Sequence, residues 1–181
     1  MLKLSDNELH WYVANTCRQE KKIKQRLDSM GIENFIPFQQ IARKIHGVDK
    51  LIEVPVIPNL VFIHTTFKSC MSLIQEYAFD MRYLRDRETG NFLIVPDKQM
   101  NDFMFLLDFS KEMVEVGNEK ISMAQEGDRC EIRIGERKGD FAGIEGELIR
   151  VKGHKRVVVR LEGVVSLATA YIPGSFLEKI E

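Results

Sequence analysis

The chain has 181 residues, of which 44% are hydrophobic and 29% charged, a composition typical of folded globular proteins rather than disordered ones. Its 26 lysines and arginines nearly balance its 27 aspartates and glutamates, so the formal net charge is −1 and argues against a general polyanion binder. The start of the chain lacks the apolar core of a signal peptide, and no apolar run reaches the ~18 residues of a membrane-spanning helix. We therefore expect a cytoplasmic protein with one large or two small domains.

The first half of the chain is predicted to alternate short strands and helices. Aromatic and β-branched residues at 10–14 predict a strand, and Asn15 or Thr16 is expected to cap the helix that follows. Ile23 and Leu27 lie on one apolar face of that helix. The later elements are predicted in the following order: a strand at 32–38 interrupted by Pro37, an extended arm at 41–54 with a polar turn at 46–50, a strand at 60–63, a helix at 67–77, a hairpin at 83–95 and a helix capped by Asp97.

The last third of the chain has a different pattern. Charged residues dominate 111–125 and the apolar period is lost, which predicts a linker. Short strands separated by glycine turns follow, at 130–134, 147–151, 157–161 and 166–172, and indicate a small closed barrel. The predicted fold is therefore α+β followed by all-β. The predicted domains are 1–110 and 126–181, joined by the linker at 111–125.

Cysteine and histidine positions do not indicate a metal site. Cys17, Cys70 and Cys130 are far apart and form no CxxC pair, and the four histidines are scattered. The acidic residues at 80–88 lie in a turn-prone segment, with no nucleophile or base at a readable spacing. We therefore expect a binding protein rather than an enzyme, with no cofactor.

A glycine-rich segment, Gly-Asp-Phe-Ala-Gly-Ile-Glu-Gly at 139–146, is the most informative stretch of the second half. A phosphate-binding loop is excluded because no Gly-Lys-Ser/Thr follows and the segment leads into a strand rather than a helix. Glycines at this spacing instead favour a tight bend between two strands. Phe141 and Ile144 are then expected to lie in the barrel core or on its rim.

This segment and the strands after it, at 147–151 and 156–161, resemble the KOW motif of NusG-type transcription elongation factors. The first half resembles the same family independently. Trp-Tyr-Val at 11–13 resembles the opening strand of its N-terminal (NGN) domain, and Arg-Gln-Glu-Lys at 18–21 resembles the first helix. Pro-Val-Ile-Pro-Asn-Leu-Val-Phe at 55–62 resembles the PLFPGYVFV segment of that domain. The resemblance implies an NGN domain, with an antiparallel sheet flanked by helices, followed by an SH3-like KOW barrel.

The chain departs from the family pattern at three positions; of these, Asn59 resembles the specialised RfaH type, and the charged arm at 43–50 and the compact length resemble the specialised antiterminators, including the UpxY type. Asn59 replaces the usual glycine, Leu60 the usual aromatic residue and Asp140 the common proline of the KOW loop. The resemblance implies a factor that promotes processive transcription and antitermination at specific operons, such as capsular polysaccharide operons. In RfaH the KOW domain can be a helical hairpin, but the β-branched residues at 157–161 and 167–172 predict strands here.

The resemblance also implies partners and contact residues. An apolar surface for the β′ clamp helices of RNA polymerase would comprise Trp11, Tyr12, Ile57, Pro58, Leu60 and Phe62. Contacts to the β gate loop would come from Ser69 and Ser72, and contacts to non-template DNA from Arg18, Lys21, Lys22, Lys24, Arg43 and Lys44. The KOW domain, through Phe141 and Ile144, would bind ribosomal protein S10 or the termination factor Rho; no membrane contact is implied.

Simpler interpretations of these residues stay open. Strand alternation places Leu60 and Phe62 on one face and Val61 and Ile63 on the other, and one face must fill the core. The basic residues can be a solvated helix face, and the two serines can serve as helix-capping or surface residues. The alternative function is an RNA-binding or ribosome-associated KOW module that does not bind polymerase, although the RNP signature of RNA-binding sheets is absent.

Overall fold

The computed structural model describes residues 7–109, 115–117, 130–134, 145–151, 154–161, 163–168 and 177–179. The chain forms two compact units, which divide between Asp97 and Lys98. The sequence-based division instead keeps the helix that starts at Asp97 with the N-terminal domain. None of the described helices is long and apolar enough to cross a membrane.

The first unit contains a five-stranded antiparallel sheet. Its elements are β1 (His10–Asn15), α1 (Glu20–Ser29), β2 (Asn34–Phe35), β3 (Phe38–Ile45), β4 (Val48–Pro55), β5 (Leu60–Thr65), α2 (Phe67–Gln75), β6 (Arg82–Tyr83) and β7 (Ile94–Val95). Strand β1 pairs with β5 on one side and with β6 and β7 on the other, and β2 extends the sheet from β5. The apolar runs at 10–14 and 60–63 are thus confirmed as central strands.

A cluster of buried side chains joins this sheet to the two helices. The sheet contributes Ala14, Val61 and Ile63, and the helices contribute Ile23, Leu27 and Leu73. These residues alternate along the strands and recur at helical spacing in α1, as expected for one covered sheet face and one apolar helix stripe. Burying such side chains stabilises a fold by roughly 25 cal/mol per Å² of apolar area.

The start of α1 differs from the prediction. The helix begins at Glu20 after Gln19, whose side chain makes no capping bond, so the expectation that Asn15 or Thr16 caps it is wrong. The intervening Cys17 and Arg18 both have positive φ, at 51° and 66°, which separates the predicted caps from the helix. By contrast, Thr66 caps α2: its hydroxyl accepts a hydrogen bond from the Ser69 N–H at 3.2 Å.

Strands β3 and β4 form a separate two-stranded hairpin, here called the arm (38–55). Its register runs from Phe38 opposite Pro55 to Ile45 opposite Val48, so the turn has two residues, His46 and Gly47. Both have positive φ, at 50° and 81°, the conformation that a two-residue type I′ turn requires. Most arm residues are exposed, which confirms the predicted extended arm with a polar turn.

The second unit contains an antiparallel sheet. Its elements are α3 (Asp97–Phe109), β8 (Glu115–Gly117), β9 (Cys130–Ile134), β10 (Glu145–Val151), β11 (His154–Leu161), β12 (Val165–Ala168) and β13 (Leu177–Lys179). The strand order is β13-β9-β10-β11-β12-β8. The four predicted strands overlap β9, β10, β11 and β12, whereas β13 was not predicted and β8 is a strand inside the predicted linker. Phe141 and Ile144 lie outside the described residues, and the closed KOW barrel stays a prediction.

Candidate functional site

The turn that joins β4 to β5 is held at both of its ends. At the first end, the Val56 N–H donates to the Pro37 carbonyl oxygen at 2.8 Å. At the second end, Asn59 has a φ of 64° and uses both of its backbone groups. Its carbonyl accepts from the Thr16 N–H at 3.0 Å, and its N–H donates to Oε1 of Glu20 at 2.7 Å. The intervening Ile57 and Pro58 are therefore presented by a fixed backbone.

The pairing of β1 with β5 decides which predicted contact residues share a surface. Trp11 is opposite His64, Asn15 is opposite Leu60, and Phe62 lies two residues from each of these β5 positions, so all lie on one face, here called the Trp11 face. Tyr12 is opposite Ile63 and lies on the other face of the sheet. Tyr12 is 1% exposed and the sheet separates its side chain from that of Trp11, so these two predicted contact residues do not share a surface.

The other five residues predicted to contact the clamp helices fall into two groups by their exposure to solvent. Trp11, Ile57 and Phe62 are buried, with 4%, 5% and 0% of their surface exposed. Pro58 is exposed and Leu60 is half-buried. Only Pro58 and Leu60 can touch a partner in this conformation, while the buried three residues belong to the interior.

A ring stack supports the Trp11 face. The indole of Trp11 stacks on the imidazole of His64, with centroids 4.8 Å apart and planes 15° from parallel. The Nδ1 atom of His64 lies 2.6 Å from Oε2 of Glu33, and its backbone N–H donates to the Glu33 carbonyl at 2.9 Å. The sequence analysis gave no role to His64 or Glu33. Their only sequence signal is the alternation that puts residue 64 on the face of residues 60 and 62.

The opposite face contains a buried group of aromatic and thiol side chains. Tyr83 stacks on Phe92 with centroids 4.7 Å apart, and Tyr12 meets both rings edge-on. Burial raises the pKa of Tyr12 to about 12 and that of the Cys70 thiol to about 11, and it raises the pKa of Tyr83 as well. These groups stay protonated at neutral pH, so they are suited to packing rather than to nucleophilic or acid–base chemistry.

Among the described side chains, no group of three or more histidine, cysteine, aspartate or glutamate residues is arranged to hold a metal ion.

The four predicted DNA-contacting cations near α1 differ in their partners: Arg18, Lys21, Lys22 and Lys24. The ammonium group of Lys21 lies 3.0 Å from a carboxylate oxygen of Glu53 in the arm. Lys24 lies 3.2 Å from Asp28, one helical turn further along α1. Lys22 donates to the neutral amide oxygen of Gln19 at 3.3 Å, and Arg18 is exposed. Lys22 and Arg18 are thus better placed than Lys21 and Lys24 to accept an external anion.

The arm brings its basic residues together near its tip. Arg43 lies directly opposite Lys50, a pair of like charges, whereas Lys44 lies opposite Asp49, a pair of opposite charges. Like charges at directly opposed strand positions destabilise a hairpin. The Arg43–Lys50 pair is therefore a local concentration of positive charge on an exposed element.

The two serines predicted to contact the gate loop lie on α2. Ser69 donates its backbone N–H to the capping Thr66, and the Ser72 hydroxyl donates to Glu76 at 3.1 Å. Both serines are half-buried. The hydrogen bonds match the simpler interpretation of a capped helix, and a gate-loop contact stays a prediction.

Comparison with known proteins identifies a family for the first half of the chain. The family model described as "Transcription termination factor nusG" matches residues 9–104, which is more than half of the chain. A solved structure titled "Domain interaction in Thermotoga maritima NusG" is 18% identical over 96% of this chain and 98% of that chain, with a TM-score of 0.49. No curated protein matches the chain.

Proposed function

The chain belongs to the NusG family of transcription factors, and from that premise we propose that it binds RNA polymerase and promotes processive transcription. The observation that carries this proposal is the turn at Pro58 and Leu60. Its backbone is hydrogen-bonded at both ends, and it adjoins the Trp11 face. The proposed activity is binding in the cytoplasm, without catalysis.

We assign the contact with the β′ clamp helices to Pro58 and Leu60. Trp11, Ile57 and Phe62 support these two residues from the interior. Burial of aliphatic surface supplies roughly 25 cal/mol per Å² to such a contact, and a few central residues usually carry most of the binding energy. A preformed turn loses little conformational entropy on binding, which favours affinity.

The test compares two leucines that differ in position. Leu60→Glu should abolish binding to DNA-free core RNA polymerase, because a carboxylate would be buried against an apolar partner. Leu51→Glu is the matched control, since Leu51 lies on the arm and is 71% exposed. Circular dichroism should show that both variants are folded. A folded Leu60→Glu variant that binds polymerase like the unaltered protein would contradict the proposal.

A second proposed contact is with the exposed non-template DNA strand, through Arg18, Lys22, Arg43 and Lys44. Lys21 and Lys24 can join it only by giving up Glu53 and Asp28. A few phosphate contacts make such binding steeply dependent on salt. Lys22→Glu should therefore weaken recruitment to a paused elongation complex, with Lys68→Glu on α2 as an exposed-lysine control. Equal recruitment of both variants would argue against this contact.

We further propose a specialised factor that acts in antitermination at specific operons, such as capsular polysaccharide operons. The departure at position 59 is accommodated locally, because asparagine tolerates the positive φ that the turn requires. In this proposal Ser69 and Ser72 contact the β gate loop, and the KOW domain binds ribosomal protein S10 or Rho.

The competing function is an RNA-binding or ribosome-associated module. Affinity purification scored for polymerase subunits against ribosomes separates the two functions. Enrichment of ribosomes without polymerase would favour the module.

A further inference from the structure

Glu20 joins two segments that are far apart in the sequence. Its Oε1 accepts the Asn59 N–H at 2.7 Å, while the Asn59 carbonyl accepts the Thr16 N–H at 3.0 Å. Both backbone groups of Asn59 are thus hydrogen-bonded to the segment 16–20 at the start of α1. We propose that Glu20 is a positioning residue, which sets the geometry of Pro58 and Leu60 for polymerase; this inference rests on the proposed function.

The backbone of Asn59 adopts a conformation that a hydrogen bond to Glu20 can stabilise. A φ of 64° lies in the left-handed region, which costs most residues with a side chain roughly 1–2 kcal/mol; asparagine adopts it more readily but still less readily than glycine. A hydrogen bond to a carboxylate is stronger than one between neutral groups. Glu20 therefore stabilises a turn that the local backbone alone does not favour.

Thr16, which donates the second hydrogen bond to Asn59, is itself held in place. Its side chain is fully buried, and its carbonyl accepts the Gln19 N–H at 2.9 Å just before α1 begins. The position of Asn59 is therefore defined relative to the helix by one backbone bond and one side-chain bond. The side-chain bond can be removed by substituting Glu20 without changing the backbone of either segment.

Glu20 also lies in the first turn of α1, where a negative charge is favourable to the helix. Two conservative substitutions separate this role from positioning. Glu20→Gln removes the charge but keeps an oxygen that can accept the Asn59 N–H. Glu20→Asp keeps the charge but is one methylene shorter, so it withdraws the acceptor from Asn59.

The experiment measures the affinity of the full chain for DNA-free core RNA polymerase. We expect Glu20→Asp to weaken binding about tenfold, the scale of one charge-assisted hydrogen bond, and Glu20→Gln, which keeps a weaker neutral hydrogen bond, to weaken it by only about threefold. Asp28→Ala is the control, because it removes two side-chain hydrogen bonds at the other end of α1. It should lower thermal stability without changing affinity.

Amide NMR of the unbound protein gives an independent readout. The Asn59 amide proton should move upfield and exchange faster with solvent in Glu20→Asp, but not in Glu20→Gln. A larger loss of affinity in Glu20→Gln than in Glu20→Asp would overturn the proposal, as would an Asn59 amide unaffected by Glu20→Asp. If the unaltered protein fails to bind polymerase, the proposed function falls, and the Asn59 amide still decides whether Glu20 positions the turn.

Discussion

The β1–β5 pair and the arm are both antiparallel and in register, yet their environments are opposite. β1 and β5 pair over six residues and are buried almost throughout, because the sheet continues on both sides and helices cover one face. The arm pairs over eight residues and is mostly exposed. Pairing alone therefore does not decide burial. The apolar residues of β1 and β5 are stabilised only when they are removed from water, whereas the charged residues of the arm are stable in water.

This difference assigns separate tasks to the two pairs. An isolated two-stranded hairpin is only marginally stable in water, so the arm adds little to the stability of the first unit. Its exposed side chains are instead available for a partner. The central pair holds the fold and carries the turn at Pro58, and substitution of its fully buried residues, such as Val13 and Phe62, should destabilise the unit.

The largest expected effect comes from comparing a leucine of α1 that packs on the central pair with a leucine of the arm. Leu27→Ala should destabilise the protein by about 2–5 kcal/mol, because Leu27 is fully buried against the sheet and its loss leaves a cavity. Leu51→Ala on the arm should change the free energy of unfolding by less than about 0.5 kcal/mol. Urea denaturation followed by circular dichroism measures both. Equal losses would show that the arm is part of the cooperative core.

A second effect concerns the alkaline stability of the buried region. Burial raises the pKa of Cys70 from 9.0 to about 11, so the folded state holds this proton more tightly than the unfolded state. The resulting stabilisation is complete below pH 9 and is lost as the pH rises to about 11, a loss of roughly 2–3 kcal/mol. Cys70→Ala should remove this decline between pH 9 and 10, and Cys17→Ala, at an exposed site, should not. A decline unaffected by Cys70→Ala would assign it to other groups.

A smaller and local effect is expected at the tip of the arm. Gly47 has a φ of 81°, and a Cβ placed there would meet no atom within 4 Å, so the cost of Gly47→Ala is conformational alone. We expect about 1–2 kcal/mol, confined to the arm. Hydrogen exchange should show faster exchange of arm amides and unchanged protection in β1 and β5. Faster exchange in β1 would mean that the two pairs unfold together.

Local sequence signals predicted the elements of both pairs well. The apolar runs at 10–14 and 60–63 are short-range patterns that formed the expected strands, and the predicted polar turn at 46–50 formed as the two residues His46 and Gly47, with 48–50 already in β4. The alternation that separates Tyr12 from Trp11 was also available in the sequence, but the resemblance to the family grouped the two residues together. The motif was transferred without the strand geometry that places the two side chains on different faces.

Contacts distant in sequence could not be predicted in the same way. The start of α1 depends on Cys17 and Arg18, whose positive φ has no residue-type signal because neither is glycine or asparagine. The bond from Asn59 to Glu20 spans 39 residues, and the His64–Glu33 contact spans 31. Such contacts follow from the packed sheet, so the residues that shape the candidate site emerge only from the structure.

The smallest stability effect is also the sharpest test of the arm as a binding element. Lys50→Glu replaces the like-charge pair with Arg43 by an opposite-charge pair, which should stabilise the arm by about 0.2–1 kcal/mol. The same change should weaken binding to an elongation complex with exposed non-template DNA and reduce its salt dependence. Asp49→Lys is the mirror variant: it places a like charge opposite Lys44, so it should destabilise the arm and strengthen DNA binding. If each variant changes arm stability and DNA binding in opposite directions, the positive charge of the arm serves a partner rather than the fold. If neither variant changes the salt dependence of binding, the DNA contact is excluded.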